Sequence, residues 1–160
     1  MSASDWVVRF AVSPFGAKLD VQTVRFTGHS IVGWLFSKAY GSPYNKPLLL
    51  ESTGARTGKL RRAVLPFFPA AGAIAIVGSR GGMAWDPNWV HNLRANPEAE
   101  ILMDRKRRRV RARIAAGDER AKLWPEICQR APVYVAYQKR ATTREIPVVV
   151  LDELSAGPNG

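Results

Sequence analysis

With 160 residues, 46% of them hydrophobic, the chain is long enough to bury the core of one domain without disulfides or a structural metal. A single cysteine, Cys128, excludes an intrachain disulfide and fits a reducing, cytoplasmic setting; His29 and His91 stand near no acidic or thiol cluster at ligand spacing, so no metal is expected. The net charge of +11 points to an anionic partner, whether a phosphate-bearing cofactor, a nucleic acid or an acidic membrane surface, and does not choose among them.

Asp5 and Arg9 interrupt the first apolar residues, so no secretory signal is expected. The longest apolar stretch, Ile31 to Phe36, is far short of the roughly 20 residues that span a bilayer. From Lys18 to Lys38, Val21, Val24, Ile31, Val32, Leu35 and Phe36 fall near helical spacing among Lys18, Gln22, Arg25 and Lys38, which predicts one amphipathic helix. That helix either packs on the main domain or rests on an anionic membrane, a peripheral contact at the inner face of the cell membrane. Gly41, Ser42, Pro43 and Asn45 then break the chain. We therefore divide it into a helical segment at 1–46, a main domain at 47–154 and a polar, disordered tail at 155–160.

Short apolar runs with Gly and Pro punctuation follow: Leu48 to Thr53, Ala63 to Phe68, Ala73 to Ser79, Ala99 to Met103, Arg107 to Ala115 and Ile146 to Leu151. Pro69 to Gly72 reads as a hairpin turn. Asp86 before Pro87 and, further on, Asp118 read as caps of two helices. Pro125 should kink or divide the second of these, and Pro132 can start its second half. Six antiparallel strands with a few peripheral helices predict a mainly β, α+β domain in the form of a small barrel.

Four constellations carry chemistry. Ser52 to Arg62 is a glycine-bracketed turn with hydroxyls and cations, in which exposed amides beside Arg56 and Arg61 could cradle a phosphate; it lacks the spacing of a Walker loop, and a solvated hairpin would look the same. Gly78 to Gly82 ends a strand in flexible glycines beside Arg80, and a helix beginning a few residues later directs its amides and dipole toward an anion or a polar ring edge. In that helix Asn88 and Asn92 lie one turn apart, as do Trp85 and Trp89, whose alternative is core packing. Tyr134 and Tyr137 share a helix face and either clamp an aromatic substrate and donate a proton or pack as half-buried residues. The basic run Arg105 to Ile114 invites a nucleic-acid reading. Its alternation, however, puts Arg107, Arg109, Arg111 and Arg113 on one face and Val110, Ala112 and Ile114 on the other, the pattern of an exposed strand after a turn at Arg105-Lys106. It also lacks interleaved aromatics for base stacking.

In order and spacing, several of these pieces resemble the deazaflavin (F420)-dependent nitroreductase family, of the F420-dependent quinone reductase type. They are Thr53-Gly54-x-Arg56-Thr57-Gly58-x-x-Arg61, Ser79-Arg80-Gly81-Gly82 leading to Asp86-Pro87-Asn88-Trp89 and Asn92-Leu93, Trp124-Pro125, Tyr134-x-x-Tyr137-Gln138, and Arg144-x-Ile146-Pro147. The resemblance implies a split β-barrel of the FMN-binding type, coenzyme F420 as cofactor, and hydride transfer to a quinone, nitro compound or other hydrophobic electron-poor acceptor. It implies cofactor binding by Thr53, Gly54, Arg56, Thr57, Gly58, Arg61, Ser79, Arg80, Gly81 and Gly82 toward the acidic tail, with Pro87, Asn88, Trp89 and Asn92 along the ring. Tyr134 and Tyr137 would be the catalytic residues lining the acceptor pocket. Ala55 and Ala131 stand where nitroreductase-active members carry a basic residue and a tyrosine, so the resemblance does not extend to bulky nitroimidazoles. An FMN- or FAD-binding split barrel and a noncatalytic cofactor- or nucleic-acid-binding module remain the competing readings; a specific nucleic-acid partner is not expected, and the chain is expected as a monomer or homodimer.

Overall fold

The computed structural model describes residues 3–155; apart from Ser155, the expected tail at 155–160 lies outside the described residues. Three helices come first: α1 (Ala3–Val12), α2 (Pro14–Thr27) and α3 (Ile31–Tyr40). The single helix expected over Lys18 to Lys38 is thus two. Gly28, at φ +76°, closes α2 in the left-handed region, and the Ser30 side chain caps α3 by accepting from the Gly33 N–H. Hydrophobic periodicity ran through both caps without sensing them.

Seven strands follow, one more than expected: β1 (Pro47–Thr53), β2 (Leu60–Pro66), β3 (Phe68–Ala70), β4 (Ala73–Val77), β5 (Glu98–Met103), β6 (Lys106–Ile114) and β7 (Val148–Glu153). The added β3 pairs with β4 around Ala71-Gly72, within the expected hairpin. The sheet is antiparallel throughout, in the order β2-β1-β5-β6-β7-β4-β3, and it curls so that β2 meets β4 without pairing with it. The expected barrel is therefore formed as a curled half-barrel.

Strands β1 and β7 are buried on both faces, which accounts for their unbroken apolar runs. Leu48 and Leu50 join Ile101, Val110, Val149 and Leu151 in one core beneath α4 (Asn88–Ala95). Val148 and Val150 face the opposite way, with Phe68 and Ala75, beneath α5 (Gly117–Arg130) and α6 (Val133–Arg140). Between these neighbours Leu49 meets Leu102 and Val24 of α2, so α2 is seated on the sheet. Asp20, 5% exposed, fixes it further by accepting from the Ser30 hydroxyl and the Val32 N–H at 2.8–3.1 Å.

Several local expectations give way to longer-range physics. The turn before β6 is Asp104-Arg105, one residue earlier than expected, and both its residues have positive φ as a two-residue hairpin requires. Asp118 does not cap α5: Ala116 occupies the cap without a side-chain bond, and Asp118 lies in the first turn, where it favours the helix dipole. Pro125 neither divides nor ends α5, which continues from Gly117 to Arg130. The proline is exposed, so water can reach the carbonyl it leaves without an N–H partner. Cys128 packs beside the second core, with its thiol pushed up by burial.

On β6 the expected alternation holds for Val110 and Ala112, but Ile114 is exposed. The arginines carry carboxylate partners: Arg109 and Arg111 with Glu98, Arg108 with Glu153, and Arg113 with Asp152 and Glu119. Arg107 bridges Glu100 and Glu51, while Arg62 of β2 donates to the other oxygen of Glu51 at 2.8 Å. A charge ladder thus crosses five strands, β2, β1, β5, β6 and β7, and the arginines of β6 are spent on carboxylates within the fold.

Burial alone would raise the Glu51 carboxyl, yet hydrogen bonds and charge from Arg62 and Arg107 outweigh it and hold the group below the usual carboxylate range. A depressed native value means stability that is complete above the unfolded glutamate value of about 4.3 and lost as pH falls through the native one. Glu51→Gln should therefore lower stability at pH 7 by about 1 kcal/mol, with the gap from wild type closing below about pH 4. Urea midpoints across a pH series measure it, and a gap constant down to pH 2 would refute the ladder's contribution.

Candidate functional site

The turn between β1 and β2 is held from inside and from behind. Gly54 donates to the Lys59 carbonyl at 2.8 Å and Gly58 to the Gly54 carbonyl at 2.9 Å. A Cβ on Gly54 would lie 3.0 Å from the Thr57 hydroxyl and 3.4 Å from Arg61 Nε, so the turn closes tightly only around glycine. Arg61 in turn donates to the Thr57 hydroxyl at 3.3 Å. Behind it, Asn92 of α4 accepts from the Ala55 N–H at 2.9 Å, and Asn96 donates to the Thr53 carbonyl. Asn92, 8% exposed, thus fastens the turn to α4, a use its spacing from Asn88 did not reveal.

In front of the turn lies a cleft of about 1210 Å³. Of the residues singled out from sequence, it is lined by Gly54, Arg56, Thr57, Arg61, Asn88, Trp89 and Asn92, with Ala55 among them. Helix α2 supplies the opposite wall through Ala17, Lys18, Val21 and Gln22, none of which the sequence suggested. Among the described residues, no aspartate or glutamate lines the cleft. Arg56 and Arg61 have no carboxylate partner among the described residues, unlike the arginines of β6. Such a cleft fits an anionic, flat ligand: a cofactor with phosphate and carboxylate groups would pair with Arg56 and Arg61, and its ring would lie along Trp89. Trp89 itself is 9% exposed and packs in the first core, so it is at once core and wall.

Thr53 and Gly58 belong to the turn but not to the lining, and Ser79 to Gly82, Pro87, Tyr134 and Tyr137 also lie outside it. Arg80, Gly81 and Gly82 make one turn of 3-10 helix at positive φ, with Ser79 before it. Gly82 touches α6 so closely that a Cβ would come 2.5 Å from the Tyr137 carbonyl oxygen. Arg80 is exposed and its guanidinium stands 5.7 Å over the Trp85 ring. Trp85 is itself exposed and precedes α4, so the helical spacing expected of Trp85 and Trp89 is not realised. Pro87, not Asp86, occupies the cap of α4.

Asp86 is diverted to a longer-range task. Its carboxylate accepts from Arg94 of α4 and from Arg144, each at 2.6 Å. Arg144, 11% exposed in its side chain, also donates to the carbonyls of Gly78, Ser79 and Met83 at 2.8–3.2 Å. One guanidinium thereby shapes the whole 78–83 loop and ties it to the start of α4.

Tyr134 and Tyr137 share a face of α6, as their spacing required, and their rings meet edge to face at 6.1 Å. They differ in access. Tyr134 is 6% exposed and packs against Phe68 and Trp124, and burial pushes its phenol well above the ordinary range. Tyr137 is half-buried beside Arg140, with a smaller upward shift from burial that Arg140 opposes. Ala131 is buried in the same cluster.

A profile of the F420H(2)-dependent quinone reductase family matches residues 27–153 of this chain. An F420H(2)-dependent quinone reductase of Mycobacterium tuberculosis H37Rv is 43% identical over 107 residues, covering 65% of this chain and 71% of that protein. The solved structure of an F420-H2 dependent reductase has a TM-score of 0.60 at 34% identity, over 66% of this chain and 93% of that one. Another solved structure, described as a domain-swapped dimer, has a TM-score of 0.62 at 26% identity, over 94% of this chain and all of that one.

Arg144→Lys keeps the charge but loses the planar fork that reaches three carbonyls and a carboxylate. We expect a stability loss of about 1–3 kcal/mol and faster amide exchange across residues 78–86. Unchanged exchange in that segment would show that Arg144 does not hold the loop.

Proposed function

The chain belongs to the F420H(2)-dependent quinone reductase family, and on that premise we propose that its cleft binds reduced coenzyme F420 and that the enzyme reduces a quinone or similar hydrophobic, electron-poor acceptor. It is an oxidoreductase whose cofactor, when bound, supplies the hydride. The observation that carries the site assignment is a cleft lined by Lys18, Arg56 and Arg61, which have no carboxylate partner among the described residues, together with a tryptophan.

Each residue has a task that follows from its setting. Arg56, Thr57 and Arg61 bind the phosphate and carboxylate groups; the Gly54 and Gly58 turn keeps them in place. Asn88 and Trp89 orient the ring, with Trp89 already fixed by the core behind it. The Ser79 to Gly82 loop, with Arg80 exposed, extends the anion-binding rim, and Pro87 sets the entry to α4. On the acceptor side we assign the proton to the Tyr137 hydroxyl. That phenol stays protonated at neutral pH, whereas Tyr134 serves as the packed support behind it. No nucleophile or carboxylate pair is required of the protein.

A cytoplasmic setting accords with the one half-buried cysteine. Among the described residues, no helix is long and apolar enough to cross a membrane. Exposed Phe26 and Trp34, at 75% and 53%, stand near Arg25 and Lys38 and support a peripheral contact with an anionic bilayer through 18–38. A homodimer is the assembly we favour, by likeness to the structure described as a domain-swapped dimer.

Fluorescence titration with reduced F420 and with FMN, followed by menadione-dependent F420H2 oxidation, tests the function. We expect F420 to bind in preference to FMN, with turnover. Arg61→Ala should weaken F420 binding by about 1–3 kcal/mol. Preference for FMN, or binding without turnover, would overturn the proposal. For the membrane contact, full-length protein should float with anionic liposomes and Phe26→Ser with Trp34→Ser should abolish this; equal behaviour of the two proteins would remove the idea.

A further inference from the structure

The family profile begins at residue 27, beyond nearly all of α2, yet α2 forms a wall of the cleft. Ala17, Lys18, Val21 and Gln22 are spaced as one helix face, with Val21 half-buried and Ala17, Lys18 and Gln22 exposed. Lys18 is exposed and has no ion-pair partner among the described residues, whereas each arginine of β6 is paired. It faces a cavity shared with Arg56 and Arg61, where no carboxylate offsets their mutual repulsion. Its backbone is held in place: Asp20, two residues on, bonds to Ser30 and Val32, and Val24 is seated against Leu49 and Leu102. An ammonium carried on a helix fixed in this way is preorganised for an anion.

We infer that Lys18, with Gln22 beside it, is an anion-binding residue of the cofactor site, reaching the phosphate and carboxylate tail of coenzyme F420 from the side opposite Arg56 and Arg61. This rests on the cofactor reading above and extends it to helix α2, which becomes a part of the binding site. Because an ammonium pairs with the charged tail and not with the neutral ring, the contribution of Lys18 depends on the tail being present.

The test measures dissociation constants by fluorescence for F420 and for the tail-less deazariboflavin, over a salt series. Lys18→Glu should weaken F420 about fivefold or more and flatten the salt dependence, with tail-less binding unchanged. Lys122→Glu makes the same charge change on α5, away from the cleft, and should leave F420 affinity within twofold of wild type. Thermal melting should be unchanged in both, since both lysines are exposed. If Arg61→Ala weakens F420 while Lys18→Glu does not, the inference fails and the cofactor reading stands. If wild type binds no F420, the reading itself fails. A Lys18→Glu effect equal with and without the tail, or one seen only in the KM for menadione, would also overturn the assignment.

Discussion

The distribution of carboxylates governs this molecule. The chain has 24 lysines and arginines against 13 acidic residues, a net charge of +11, so carboxylates are the scarce partner. Those partners are not scattered evenly. Glu51, Glu98, Glu100, Asp152 and Glu153 are spent on the arginines of β2 and β6, and Asp86 on Arg94 and Arg144. Lys18, Arg56 and Arg61, which line the cleft, have no carboxylate partner among the described residues, and there the surplus concentrates positive potential. Net charge by itself left three kinds of partner open; its concentration at the cleft is what supports the proposed reading of a small polyanion held between a helix and a turn.

The cleft depends on parts that are remote in sequence and are each held by one polar anchor. Asn92 ties the β1–β2 turn to α4, Asp20 ties α2 to α3, and Arg144 ties the 78–83 loop to Asp86. These anchors are buried or nearly so, where a satisfied hydrogen bond is specific because an unsatisfied one is costly. The result is a site whose cations are positioned before any ligand arrives, which lowers the ordering cost of binding.

Much of this was legible in the sequence. Strand positions followed from apolar runs, the β6 alternation separated Val110 and Ala112 from their arginine neighbours, and the glycine-bracketed turn announced itself by composition. The misses share a cause. Asp86 and Asp118 looked like caps because a cap is a local signal, but Asp86 was claimed by Arg144, 58 residues away. Periodicity merged α2 and α3 because Val24 and Ile31 keep step across Gly28. Tyr134 and Tyr137 have the same helical setting, and only the Phe68 and Trp124 rings packed above the first distinguish them. The role of α2 as a wall needed the sheet itself, since nothing in residues 17–22 indicates which surface they will meet.

Strand β2 ends the sheet, paired on one side only by β1. An open edge of this kind is a template on which another chain can add a strand, and proteins commonly guard it with charge. Here Lys59 and Arg61, which have no carboxylate partner among the described residues, sit at the start of that strand, a charge that disfavours edge-to-edge pairing of two copies. On the proposed function Arg61 has two uses: the charge assigned to an anion also guards an open sheet edge. Filling the cleft with a polyanion would partly neutralise that guard, which couples ligand occupancy to colloidal behaviour at the same few residues.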